Sequence, residues 1–268
     1  MYSLAIRKFV GVKVISWEHF NFLQNPDVPF RKYTRQWAAK AADAIVTLTA
    51  TDVELYTSHL KVKCPILEIP NPMDMPQDGG RYDASSHMLV SCGRFVPQKG
   101  FDMLVQVAKK VMPSHPSWRW VVLGDGPDRV SIQRAVDDCG LHESVVLPGQ
   151  VSDLSPYWRK SSIFVLTSRF EGLPMVMLEA KAYGIPSVSF DCATGPKEII
   201  EDGINGFLVP PCDIDGMAVK LSRLMDDEEL RVSFSVHALD GAEKYQLSHI
   251  TDIWHRLLSQ VTGDKPER

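Results

Sequence analysis

Three observations predict an α/β fold with parallel sheets. Short apolar runs alternate with amphipathic helical stretches along most of the chain. Runs such as VVL at 121–123 and IFVL at 163–166 are continuously apolar, as strands buried on both faces are. Glycine and proline mark the strand-to-helix junctions, in SCG at 91–93, LGDGP at 123–127 and EGLP at 171–174.

Taken in order, residues Leu4–Val10 read as the tail of a helix closed by Gly11 as its C-cap. Strands follow at Val12–Ser16, Ala44–Leu48 and Ile66–Ile69. Three strands with one face uncovered would be marginal alone, so this part reads as incomplete. Asn71–Ser86 is rich in Pro, Gly, Asp and Ser and reads as a linker. Six strands come next: Met88–Cys92, Trp118–Leu123, Val145–Leu147, Ile163–Leu166, Ser187–Phe190 and Phe207–Val209. Helices are expected at Gly100–Met112, Pro127–Cys139, Pro174–Tyr183 and Asp213–Met225. Together they make one complete doubly wound unit, from about Ser85 to about Val236. Asp202–Gly203 and Asn205–Gly206 read as turns, and Asp226–Glu229 as a helix junction capped by Asp. Leu247–Val261 has the pattern of an amphipathic helix, and Thr262–Arg268 is a polar tail. The domains are therefore placed at 1–75, 76–86 (linker), 87–245 and 246–268.

Composition excludes several classes. The net charge of −4 provides no electrostatic footprint for nucleic acid. Five scattered cysteines without a C-x-x-C pair fit reduced thiols in a cytoplasmic protein better than a disulfide framework or a zinc site. No His/Cys/Asp cluster has metal-ligand spacing, and no cofactor motif is present, so neither metal nor cofactor is expected. No apolar run approaches a membrane span, and Arg7, Lys8 and Lys13 break any leader-like start. Peripheral attachment to the inner face of a membrane stays open.

The most informative segment is RFEGLPMVMLE, Arg169–Glu179. It places Glu171 on a strand-to-helix loop and Glu179 one to two turns into the helix, with Gly172 and Pro174 between them. A helix N-terminus at a parallel strand's carboxyl end attracts phosphate. Anions repel carboxylates, so the two glutamates suit sugar hydroxyls and should stand apart from the phosphates. In SCGRFVPQKGFD, Gly93 permits a sharp exit from a strand, and Arg94 and Lys99 could clamp a pyrophosphate; solvated surface cations are the plain alternative. In LGDGPD, Gly124 and Gly126 let a ligand approach the backbone, or simply make a turn. The third glycine of a dinucleotide fingerprint is missing. The bend LPGQVS, with Gln150 and Val151, could read a base edge through its backbone. In SWEHFNF, His19 stands at a strand's carboxyl end, beside Trp17 and Glu18, which have no firm role.

In this order, GRFVPQKG (93–100), GDGP (124–127), PGQV (148–151), the E-x7-E of Glu171 and Glu179, and DGINGFLVP (202–210) resemble the GT-B glycosyltransferases of retaining family 4. ADAIVTLT (42–49) and IPNPMD (69–74) match as well, and SWEHFNF is similar to bacterial surface-polysaccharide enzymes. The resemblance implies two Rossmann-like domains facing a cleft. Here the C-terminal one is complete and the N-terminal, acceptor-side one is short by roughly a hundred residues, judged by the strands missing from a doubly wound sheet. The last helix would cross back to the first domain. By resemblance, Arg94 and Lys99 neutralise the leaving diphosphate, a job other glycosyltransferases give to a divalent metal. Glu179 would bind the ribose and Glu171 the donor sugar. Backbone N–H groups along Gly172–Pro174, Leu173 among them, would touch sugar or phosphate. The base would rest near Gln150–Val151, and His19 beside the anomeric centre.

The expected function is retaining, metal-independent transfer of a hexosyl group from a nucleotide-sugar, a UDP-sugar first, to a glycan or lipid-linked acceptor. The alternative is a non-catalytic nucleotide-sugar-binding fragment, or one part of a split enzyme completed by a second chain. Removing Arg94 and Lys99 together is expected to lower turnover far more than stability.

Overall fold

The computed structural model describes residues 4, 10–24, 28–76, 80 and 82–263. Most of the helix tail expected over Leu4–Val10, and the polar tail at 264–268, lie outside them. In chain order the elements are β1 (Ile15–Glu18), α1 (Pro29–Ala41), β2 (Ala44–Thr47), α2 (Ala50–His59), β3 (Ile66–Glu68), β4 (Met88–Cys92), α3 (Phe101–Val111), β5 (Arg119–Leu123), α4 (Arg129–Asp138) and β6 (Val145–Gly149). Then come α5 (Ser155–Trp158), β7 (Ile163–Leu166), α6 (Met175–Ala182), β8 (Ser187–Phe190), α7 (Pro196–Ile199), β9 (Gly206–Val209), α8 (Ile214–Asp226), α9 (Glu228–Ala238) and α10 (Leu247–Thr262).

Two parallel sheets form, one in the order β1-β2-β3 and one in the order β6-β5-β4-β7-β8-β9. In the larger sheet the chain winds outward from β4 to β6, then restarts on β4's other side with β7. Ligands of such sheets bind at the carboxyl ends of the strands flanking that reversal. The loops after β4 and β7, Gly93–Gly100 and Thr167–Pro174, therefore occupy the favoured place.

The apolar runs have a physical reason. Leu89, Trp120, Val122, Ile163 and Val165 pack on α3, α4 and α8 on one face. Their neighbours Val90, Val121, Leu123, Phe164 and Leu166 pack with Met177 and Leu178 of α6 on the other. Each such burial contributes roughly 1.5–3 kcal/mol, so neither face tolerates polar alternation. In the smaller sheet, Ile45 faces Ala38, Ala39 and Tyr56 of α1 and α2. The opposite face, with Ala44, Val46 and Ile69, is covered by Ile250 and Leu257 of α10, helped by Ile253, Trp254 and Val261. The last helix thus covers a face that three strands alone leave bare. Among the described residues no helix is long and apolar enough to cross a membrane.

Several boundaries differ from the sequence reading. The first strand is Ile15–Glu18 because that stretch pairs with β2, from Ile15 opposite Ala44 to Glu18 opposite Thr47, while Val12 is exposed. Pro127 does not open α4; it stays in a turn closed by Arg129 N–H on Gly126 O, and the helix begins at Arg129. Pro174 is the N-cap of α6, at φ −74° and ψ 97°, rather than its first helical residue. The helices α1 and α2 were not read from the sequence, although Pro29 at the start of α1 and Thr49 capping Asp52 N–H are ordinary start signals. The Asp caps hold: Asp213 accepts from Gly216 N–H and Asp227 from Leu230 N–H.

Candidate functional site

The loop after β4 leaves through Gly93, makes one turn at Pro97–Lys99 and enters α3 through Gly100 at φ 63°. A side chain at Gly100 would fall 2.1 Å from Thr167 O, so the β4 and β7 loops touch backbone to backbone. Gly124 (φ 128°) and Gly126 (φ 158°) are held likewise: a Cβ would meet Gly93 O at 1.9 Å and Phe95 O at 2.4 Å. The neighbouring loop thus packs against both glycines, and Gly124 also lines the cleft.

That wall encloses a cavity of about 250 Å³ lined by Cys92, Gly93, Arg94, Leu123, Gly124, Asp125, Gln150, Val151 and Leu154. Arg94 is exposed there. A second cavity of about 590 Å³ adjoins it at Val151 and Leu154, and adds Asp74, Met75, Ser152, Trp158, Arg159, Met175, Glu179 and Tyr183. Arg94, Gln150 and Val151 therefore share one chamber and Glu179 stands in the next.

Glu179 is half-buried on α6. Burial pushes its carboxyl above the usual range, the Trp158 indole counters by donating to it, and the charge of nearby Asp74 raises it further. A carboxylate so raised in a cleft is a candidate functional group. Cys92 lies close by. Burial, and then the charge of Glu179, push its thiol up to about 11, so it stays protonated and inert.

Lys99 and Glu171 form a pair of their own. Lys99 Nζ donates to Glu171 Oε1 at 2.7 Å, and Ser168 Oγ donates to the same oxygen at 2.6 Å. Glu171 is buried, and the lysine stem lies over Gly93, 3.2 Å from where a Cβ would stand. The sequence reading gives Lys99 to the diphosphate and Glu171 to the sugar; the structure adds that the two side chains are ion-paired with each other. A buried carboxylate needs a counter-charge, and Lys99, on the adjoining loop, supplies it.

The β7 loop continues through Gly172 and buried Leu173 to Pro174. Pro174 has no N–H to donate, so the expected row of backbone donors along Gly172–Pro174 is shortened by one. Its ring instead lies against Gly195, where a Cβ would stand 2.7 Å from Pro174 Cδ. His19 follows β1 directly, is exposed, and has its ring centroid 4.4 Å from that of Trp17. Trp17 in turn meets Trp254 of α10, with centroids 5.0 Å apart. A Cβ on Gly172 would stand 2.8 Å from His19 O, so the histidine loop lies against the β7 loop across the chain. Glu18 does not face the cleft as a ligand group: it binds Arg35 Nε at 3.1 Å and accepts from Tyr56 OH at 2.9 Å.

Asp74, Trp158 and Asn21 were missed by sequence reasoning. The first two are remote in sequence from Glu179, and only packing brings them to it. Asn21 donates through Nδ2 to Glu171 O at 2.7 Å, over 150 residues of chain. Among the described residues no three His, Cys, Asp or Glu side chains converge so as to hold a metal ion.

The family model for glycosyl transferases group 1 matches residues 81–239. An exopolysaccharide phosphotransferase of Streptomyces coelicolor is 36% identical over 236 residues, covering 86% of this chain and 25% of that protein. An uncharacterised glycosyltransferase of Haemophilus influenzae is 30% identical, covering 93% of this chain and 70% of its own length. Among solved structures, a point mutant of S. aureus TarM in complex with Fondaparinux, α-GlcNAc-glycerol and UDP superimposes with a TM-score of 0.82 at 26% identity, covering 91% of this chain and 50% of TarM. The chain thus spans a quarter of the first relative and half of TarM. The fold is of the GT-B type that the sequence resemblance implied.

Proposed function

The chain belongs to the glycosyl transferases group 1 family, and on that premise we propose that it holds a nucleotide-sugar, a UDP-sugar first, and transfers its hexosyl group with retention to a glycan or lipid-linked acceptor. The single observation that carries this reading is the pair of adjoining cavities, with Arg94 in one and Glu179 in the next. One chamber offers a guanidinium to a diphosphate, and the next offers a carboxylate to the ribose hydroxyls. The UDP bound in the related TarM structure supports the choice of nucleotide.

In this reading each residue has one task. Glu179, ionised, accepts hydrogen bonds from the ribose hydroxyls. Arg94 meets the diphosphate as a planar fork of donors. Lys99 shares its charge between Glu171 and the leaving phosphate, so negative charge developing there is stabilised by a group already in place. The free N–H groups at the start of α6 add to this. Glu171 and the Gly172 N–H orient the sugar, and His19 stands beside the anomeric carbon. The base rests against Gln150 and Val151.

The test is turnover of UDP-sugars by the purified chain. UDP release that rises with a polysaccharide or lipid-linked acceptor, and survives EDTA, is the expected result; no binding of UDP or any UDP-sugar refutes it. A second reading, a donor-binding part completed by another chain, is favoured by the exposure of Trp17 and Phe20 beside His19 and of Phe30 and Tyr33 on α1. Binding without turnover, rescued by an added N-terminal polypeptide, would select it.

A further inference from the structure

Two side chains converge on one main-chain oxygen in the β7 loop. Glu171 O accepts from Asn21 Nδ2 at 2.7 Å and from Thr194 Oγ1 at 2.7 Å. Asn21 is only 2% exposed. A carbonyl can only accept, so the amide must present its nitrogen there, and its orientation follows from chemistry. The other end of that amide, Oδ1, is buried with no hydrogen-bond partner among the described residues.

The arm that carries Asn21 is rigid. Arg35 Nη2 donates to Asn21 O at 3.1 Å and Nη1 to Phe22 O at 2.6 Å, while Phe22 N–H donates to Asp52 Oδ1 at 2.8 Å. Glu18 fixes the far side of the guanidinium. The loop it reaches is gripped from both sides: a Cβ on Gly172 would strike His19 O, and one on Gly195 would stand 2.3 Å from Gly172 O.

A peptide group is planar, so holding its C=O sets the direction of its N–H. The N–H paired with Glu171 O belongs to Gly172. We infer that Asn21 is a positioning residue: by holding Glu171 O it aims the Gly172 N–H, and with it the Glu171 carboxylate, at the donor sugar. This rests on the reading of the β7 loop as the sugar-binding loop. A plain interface contact is the competing account, and it predicts no selective effect on turnover.

Asn21→Ala and Asn21→Asp test the inference with two readouts. The first is amide exchange of the 169–175 peptide, corrected for the intrinsic pH dependence of exchange. It should quicken at least tenfold in Asn21→Ala at pH 7.5 and at pH 5. In Asn21→Asp it should quicken at pH 7.5, where a carboxylate faces the carbonyl, and recover toward pH 5, because burial at this position and the facing carbonyl raise the new acid above its ordinary value of about 3.9 and its protonated form donates. The second is UDP release from UDP-glucose and UDP-N-acetylglucosamine. In Asn21→Ala kcat should fall at least tenfold with KM within threefold, and Asn21→Asp should regain activity at pH 5 relative to Asn21→Ala. Unchanged exchange in both variants overturns the inference, as does a loss confined to KM or a loss in Asn21→Asp that pH does not reverse. If the wild-type chain uses neither donor and binds no UDP, the functional reading fails and the exchange result alone decides the positioning.

Discussion

Lys99→Met is the substitution whose outcome the structure changes most. It removes the counter-charge of Glu171, whose side chain is only 6% exposed and whose Oε1 would keep Ser168 Oγ as its sole named donor. Breaking a buried pair by deleting one partner costs about 3–5 kcal/mol. Lys99 is itself 18% exposed, so solvent screens its end and the lower figure, about 3 kcal/mol, applies. For a chain of this size that is a fall in Tm of roughly 6–12 °C. Glu171→Gln should cost less, about 1 kcal/mol, because the freed lysine can reach water. The double variant, Lys99→Met with Glu171→Gln, should lose about 2 kcal/mol, about half the summed losses of the singles, a coupling of about 2 kcal/mol. Urea unfolding of the four proteins measures this directly. Lys99→Met melting with the wild type, or a double variant no better than the sum of the singles, would refute the argument. In the double variant Arg94→Ala with Lys99→Ala, the loss of stability should therefore come from Lys99. Being exposed, Arg94→Ala should stay within about 0.5 kcal/mol of the wild type.

Glu179→Gln should weaken UDP binding by about 1.5–3 kcal/mol, through loss of charged hydrogen bonds to the ribose; an unchanged calorimetric Kd removes Glu179 from the site. Its carboxyl is raised above 4.5 by burial, so the folded state holds the proton more tightly than the unfolded chain. Stability from that proton is present below pH 4.5 and is lost as pH rises through the raised value. Glu179→Gln should therefore gain in Tm over the wild type at pH 7.5, with the gain vanishing toward pH 4.5, and a thermal scan at both values checks the sign. Gly124→Ala places a Cβ 1.9 Å from Gly93 O at φ 128° and should cost at least about 2 kcal/mol, whereas Gly140→Ala, at φ 67° with open space around it, should cost about 1 kcal/mol; equal losses by denaturant titration would mean the loops do not pack as described. Leu257→Ala, at 1% exposure under the smaller sheet, should cost about 2–5 kcal/mol and quicken amide exchange in β2; protection left intact would detach α10 from that sheet.

Much of the fold was legible because burial on both faces of a parallel strand leaves a continuous apolar run. Such runs located β4, β7 and β8 to the residue. The first strand slipped because Val12 and Val14 are also apolar, and only pairing with Ala44–Thr47 selects Ile15–Glu18. The helices α1 and α2 were overlooked because their polar faces dilute the periodicity.

Residue type and local order determined that Arg94, Lys99 and Glu171 lie in loops at strand ends, where Gly and Pro bend the chain, and that Glu179 lies in the helix that follows. Which of them meet was decided by the tertiary structure. The sequence sets Glu171 eight residues from Glu179 and seventy-two from Lys99, yet the lysine is its partner at 2.7 Å. The winding order of the sheet makes β4 and β7 neighbours, and an ion buried between their loops must find its counter-charge across them.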